Sequence, residues 1–164
     1  MAPILDVRNL QTHFFTKGGV LKAVDGVGFE IGAGEIVGLV GESGSGKSIT
    51  GFSILGLVDE PGRIVGGEIL FKGKDLKTLP VAEMQKMRGS SIAMIFQDPM
   101  MTLNPVLRIE TQMIEAIQTH DSSVSKDEAR QRSRDALGLV GISSPEERML
   151  SLIHISEPTR PSTI

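Results

Sequence analysis

The chain has 164 residues, 40% hydrophobic and 23% charged, with a formal net charge of −3; this fits one soluble globular domain with a sizeable core and speaks against a whole-protein nucleic-acid binder. The absence of cysteine excludes a disulfide framework and a Cys-ligated metal. The N-terminus lacks the basic start and apolar core of a signal peptide, and no apolar run approaches a membrane span, so a cytosolic chain is expected unless a partner holds it to a membrane.

In chain order, Ile4 to Phe15 reads as a strand that Lys17-Gly18-Gly19 breaks, and Leu21 to Ile31 as a second strand region interrupted by Gly26. Ile36 to Val40 (IVGLV) is short and wholly apolar, the pattern of a strand buried on both faces. Lys47 to Val58 is helix-like, with Ile49, Phe52, Leu55 and Val58 near a 3.6-residue period. Gly66 to Asp75 reads as an edge strand with a turn, Pro80 to Arg88 as a short helix, and Ser91 to Phe96 as a second buried strand. After Asn104-Pro105 only helices are predicted. Val106 to Thr119 is the first. Ser125 with Glu128 forms a capping box that opens the next, which runs to about Val140 and stops at Gly141. Ser144-Pro145-Glu146-Glu147 repeats the start signal. The expected organisation is an α/β portion over 1–105 and a helical portion over 106–149.

Gly41 to Ser48 (GESGSGKS) satisfies G-x-x-x-x-G-K-[ST] between a predicted strand and a predicted helix. Each residue type has a reason. Gly44 and Gly46 let the backbone curl so that the N–H groups of Ser43 to Ser48, Ser45 among them, converge on phosphate oxygens, and the helix adds its positive N-terminal end. Lys47 reaches the β- and γ-phosphates as a point charge, and the Ser48 hydroxyl suits Mg²⁺. These residues predict a nucleotide binder. Gln97 stands at the end of the second predicted buried strand, where ligands of open α/β sheets sit. It can accept at Mg²⁺ and orient an attacking water; alternatively it is a turn residue of Gln97-Asp98-Pro99.

Together, AVDGVGFEIGAGEIVGLVGESGSGKS, GGEILFKGKDL and IFQDPMMTLNPV closely resemble the ATP-binding subunits of ABC transporters, the last stretch resembling the dipeptide/oligopeptide importer branch. The likeness runs from about Ile4 to Met149. It implies a P-loop NTPase core of the ABC type with an N-terminal antiparallel part and the start of a helical subdomain. It also implies ATP and Mg²⁺ as cofactors, Gly41, Glu42 and Ile49 as further nucleotide-binding positions, and Gln97 as the glutamine that touches Mg²⁺. Lys47 and Gln97 are the catalytic candidates, Ser48 and Gln97 the metal candidates. Implied partners are a second ATP-binding subunit, two permease subunits at the cytoplasmic face of the membrane and, indirectly, an extracytoplasmic peptide-binding protein, with no nucleic acid. The cargo is a peptide or, in the alternative, another substrate such as nickel. Ile49 stands where relatives often have Thr, and Met101-Thr102 where they have Thr-Ser. An aromatic that stacks on adenine is expected near the end of the first strand, and Phe15 is the candidate; strict register puts Lys17 there, and Phe14 and Phe15 are otherwise core.

The resemblance also calls for an LSGGQ-type loop, an apolar strand ending in Asp-Glu and a switch histidine. None follows Met149. Ser156-Glu157-Pro158-Thr159 cannot replace the Asp-Glu site, because a serine does not support a metal as aspartate does and Pro158 and Pro161 forbid the following helix. Residues from Leu150, LSLIHISEPTR, instead resemble the in-frame translation of a sequencing-library adapter, so 150–164 is expected to be non-native. Two readings of the fragment stand beside the enzyme lineage: a nucleotide-binding module without hydrolysis, and a chain that does not fold because Ile36–Val40 lacks its mid-sheet partner. A GTPase is disfavoured by the absence of N-K-x-D, and a DNA-repair ATPase by the absence of a coiled-coil insertion.

Overall fold

The computed structural model describes residues 2–96 and 102–152. The chain divides into two units, Met1–Ala93 and Met94–Ile164.

The first unit is built on an antiparallel sheet. Strands β1 (Leu5–Thr16) and β2 (Gly19–Ile31) form a long hairpin, and β1 pairs on its other edge with β3 (Gly62–Phe71). A short β4 (Lys74–Asp75) completes the order β2-β1-β3-β4. The hairpin turns through Lys17-Gly18, with Thr16 opposite Gly19 and the Thr16 hydroxyl donating to the Gly19 carbonyl at 2.9 Å. Gly26 does not interrupt β2. It takes φ 83° beside Asn9, itself at φ 47°, where the β1–β2 register shifts, so glycine accommodates a bulge within a continuous strand. On the other side of the same bulge, Gly67 at φ 81° sits so close to the Arg8 and Asn9 carbonyls that a Cβ would collide with both.

Helix α1 (Lys47–Ile54) and α2 (Val81–Met87) supply the other layer. Val7, Leu10, Val24 and Ile69 from the sheet form the core with Leu76 and Met84, and Ile49 and Ile54 of α1 pack against it. Val58 lies beyond the helix, and the face of α1 that is buried carries Thr50 and Ser53 rather than an apolar stripe alone. The polar atoms are satisfied: Thr50 donates to Gly46 O at 3.0 Å, Ser53 donates to Ile49 O at 2.7 Å, and Thr12 and Ser53 hydroxyls meet at 2.8 Å. Since Ser53 spends its one proton on Ile49, Thr12 is the donor in that last bond.

Two expected strands are absent. Ile36–Val40 has no ladder, and Ile36 and Val40 are 98% and 93% exposed. Ser91–Phe96 forms only an isolated bridge, Arg88 with Ile92, and Ile95 is 98% exposed. An apolar run becomes a buried strand only when neighbours take its backbone N–H and C=O groups on both edges. Among the described residues no strand does so for either segment.

The second unit is helical: α3 (Ile109–His120), α4 (Lys126–Leu139) and α5 (Pro145–Leu150). Ile114, Val124 and Ala129 form its small core. The Ser125 hydroxyl caps α4 by accepting from Glu128 N at 3.2 Å. Gly141 at φ 78° ends it, with Gly141 N–H donating to Gly138 O and Ile142 N–H to Leu137 O, both at 3.0 Å, the paired closure of a left-handed helix stop. Helix α5 starts where Pro145 predicts, but Ser144 does not cap it through its side chain. It takes φ 51°, outside the extended region an N-cap needs. No helix among the described residues is long and apolar enough to cross a membrane.

Candidate functional site

The glycine-rich loop joins the exposed Ile36–Val40 segment to α1, and Lys47 and Ser48 are the first two residues of the helix. Gly44 and Gly46 have φ of 81° and 89°. Both values lie where glycine is at home and other residues are strained. At Gly46 there is a second reason for glycine: a Cβ would collide with the Ala23 carbonyl oxygen of β2. Gly46 therefore sets how closely the loop lies on the hairpin. As the N-cap of α1 it has no side chain to offer the first-turn N–H groups, which leaves them for a ligand. The loop is also braced internally by Ser45 N–H donating to Glu42 O at 3.2 Å.

The Lys47 ammonium donates to Gly41 O and Glu42 O, both at 2.7 Å, and lies 3.3 Å from Ser45 Oγ. These carbonyls carry only partial charge, so phosphate oxygens compete well for the same donors. Gly44, Ser45, Gly46, Lys47, Ser48 and Ile49 line a hollow of about 350 Å³, closed on the other side by Phe14, Leu21 and Ala23 of the hairpin. Gly41, Glu42 and Ser43 are exposed and lie outside that lining. A helix N-terminus without a side-chain cap, two left-handed glycines, a lysine and the Ser48 hydroxyl form a donor set that suits a polyphosphate with its divalent cation.

The aromatic lining the hollow is Phe14, not Phe15. Successive side chains of a strand point to opposite faces, and Phe14 shares the α1 side with Thr12. Phe15 is 40% exposed, with the Arg63 guanidinium carbon 4.5 Å from its ring centroid. The β1–β2 register shift between Thr12 and His13 leaves the extra residue, Ala23, on β2, so the alternation from Thr12 to Phe14 along β1 is undisturbed. On β2, Leu21 stands directly opposite Phe14, and Ala23 is the extra residue of the bulge. Gln97 lies outside the described residues, as does Glu157.

Comparison with known proteins agrees with this geometry. Solved structures of the ABC transporter cassette MJ0796 share the fold. One dimeric structure superposes with a TM-score of 0.76 at 23% identity, covering 90% of this chain and 60% of that one. A second, of a post-hydrolysis state bound to ADP and Pi, gives 0.77 at 20% identity, covering 94% and 63%. Among curated sequences, the chain is 48% identical over 155 residues to the oligopeptide transport ATP-binding protein AppD of Bacillus subtilis, covering 94% of this chain and 47% of that protein. It is 46% identical over 152 residues to the probable peptide ABC transporter ATP-binding protein y4tR of Sinorhizobium fredii (92% and 45%), and 42% identical over 146 residues to the dipeptide transport ATP-binding protein DppD of Escherichia coli (89% and 44%). The chain thus spans less than half the length of these relatives. The sequence model of the ABC transporter family matches residues 24–157, from the buried Val24 through the phosphate loop and past Leu150. With most of its length inside that match, the chain belongs to the ABC transporter family.

Proposed function

We propose that this chain is the nucleotide-binding portion of an ATPase subunit that powers peptide import across a membrane. The observation that carries the reading is the hollow between the phosphate loop and the hairpin, where Lys47 and the start of α1 face Phe14 and Leu21. In it, the first-turn N–H groups and Lys47 hold the β- and γ-phosphates of ATP, and Phe14 lies at the base end. Ser48, with Gln97, would hold Mg²⁺, which when bound neutralises charge on the phosphate oxygens. Peptide as cargo rests on the names of the relatives at 42–48% identity. Such a subunit works at the cytoplasmic face beside a second ATP-binding subunit and two permeases, with the peptide-binding protein outside.

The literal 164-residue chain binds Mg-ATP without cleaving it, since its sequence carries no Asp-Glu strand, LSGGQ-type loop or switch histidine. We read residues from Leu150 as an adapter translation with no role in the site. Exposure of Ile36, Val40 and Ile95 favours a second reading, in which the chain by itself is aggregation-prone. Titration with a fluorescent ATP analogue tests the proposal. Lys47→Ala should weaken binding by at least about tenfold, and phosphate release should stay at background for both proteins. Equal affinity of the two would overturn the assignment of the site. Mg-dependent turnover lost in Lys47→Ala would overturn the absence of hydrolysis.

A further inference from the structure

Helix α1 carries the phosphate-facing residues at one end and is gripped at the other. Arg88, the residue that ends α2, reaches back with Nε donating to Leu55 O and Nη2 donating to Gly56 O, both at 2.8 Å. Leu55 is the C-cap of α1, and Gly56 follows at φ 60°. A guanidinium is suited to this: its planar fork spans two carbonyls at fixed geometry, and its charge is favourable against the negative end of a helix. Directly after Arg88 the chain makes a tight turn, with Gly89 N–H donating to Ile92 O at 2.9 Å, and that turn leads into the segment that bears Gln97.

We infer that Arg88 is a positioning residue of the nucleotide site, fixing Lys47 and Ser48 by holding the far end of the eight-residue helix that begins with them. The inference rests on the reading of the phosphate loop as an ATP site. The helix is short, about 12 Å at 1.5 Å per residue, and behaves as a rigid lever. Its last turn is also held by the buried Thr12–Ser53 hydrogen bond, and its start by the close approach of Gly46 to Ala23. Releasing the Arg88 grip frees the Leu55 and Gly56 carbonyls and loosens that last turn, and displacements on the order of 1 Å at a binding group are costly. Arg88 touches neither the loop nor the hollow, so its effect reaches the ligand only through α1.

The test uses the 164-residue chain with Arg88→Ala, Arg88→Lys and Lys47→Ala. Hydrogen exchange without nucleotide reads the grip itself: α1 amides should exchange faster in Arg88→Ala, and unchanged protection overturns the inference whatever the nucleotide does. Titration with the fluorescent ATP analogue reads the consequence. Arg88→Ala should raise Kd by about tenfold, and Arg88→Lys, which keeps the charge but not the fork, should fall between. Guanidinium ion at low millimolar concentration should restore part of the affinity of Arg88→Ala and none of that of Lys47→Ala, an outcome that a general loss of stability does not produce. Affinity within twofold of the parent in Arg88→Ala, with Lys47→Ala impaired, overturns the inference and leaves the site intact. If Lys47→Ala also binds normally, the reading of the site fails instead. Should Arg88→Ala not fold, Arg88→Lys with the same two readouts decides.

Discussion

The β1–β2–β3 sheet and the segment Ile36–Val40 are both apolar and both belong to the same unit, yet one is a core and the other is bare. Leu10 is 0% exposed and Ile69 likewise, whereas Ile36 is 98% exposed. The difference lies in where each finds its hydrogen-bonding partner. The hairpin strands meet across a two-residue turn, and β3 adds itself antiparallel along β1. Ile36–Val40 finds no strand among the described residues to lie beside. Hydrophobicity alone does not make a strand; a ladder does.

The contrast can be broken hardest at the sheet. Leu10→Ala should cost about 3 kcal/mol of unfolding free energy in a denaturant titration, since it empties a fully buried site. A loss under 1 kcal/mol would mean that the sheet is not the stability core. In the helical unit, Ser125→Ala removes the cap of α4 and should cost about 1 kcal/mol, with a matching drop in helicity by circular dichroism. No drop would show that the cap is dispensable. A smaller effect concerns pH. The Ser123 hydroxyl and backbone N–H hold the Asp121 carboxyl below its usual range, as a hydrogen bond from Lys74 does for Glu83. A lowered folded value means that the stabilisation is present above the ordinary carboxylate pKa and is lost as pH falls through the lowered one. Denaturant midpoints should therefore decline across that acidic window, and less steeply in Asp121→Asn; identical slopes would remove Asp121 from the account. The smallest change in stability is expected at the bare segment. Ile36→Ser with Val40→Ser should leave unfolding free energy within about 0.5 kcal/mol and raise the concentration at which light scattering appears. Marked destabilisation would show that the segment is packed after all.

Legibility in the sequence followed the range of the interactions. The glycine-rich loop was readable because its residue types act locally: Gly44 and Gly46 take the positive φ that glycine allows. The ends of α4 were readable because Ser125 and Gly141 act within a few residues of themselves. The aromatic at the hollow was not, since it depends on which face of β1 the helix covers: α1 meets Thr12, and Phe14 rather than Phe15 shares that face. Ser144 misled because its backbone takes a left-handed φ, from which its side chain does not cap α5. Arg88 gave no signal at all: its partners lie 33 and 32 residues back.

By itself, then, the sequence determined the family, the glycine-rich loop before α1 and the helix boundaries set by short-range hydrogen bonds. Only the tertiary structure decided which side of the hairpin meets the loop, that α1 buries Thr50 and Ser53, and that Arg88 holds its far end. It also decided that IVGLV has no ladder. The physical reason is the same in each case: these outcomes depend on backbone and side-chain groups that are distant in sequence, and pairing across such distances is set by register and packing rather than by local composition.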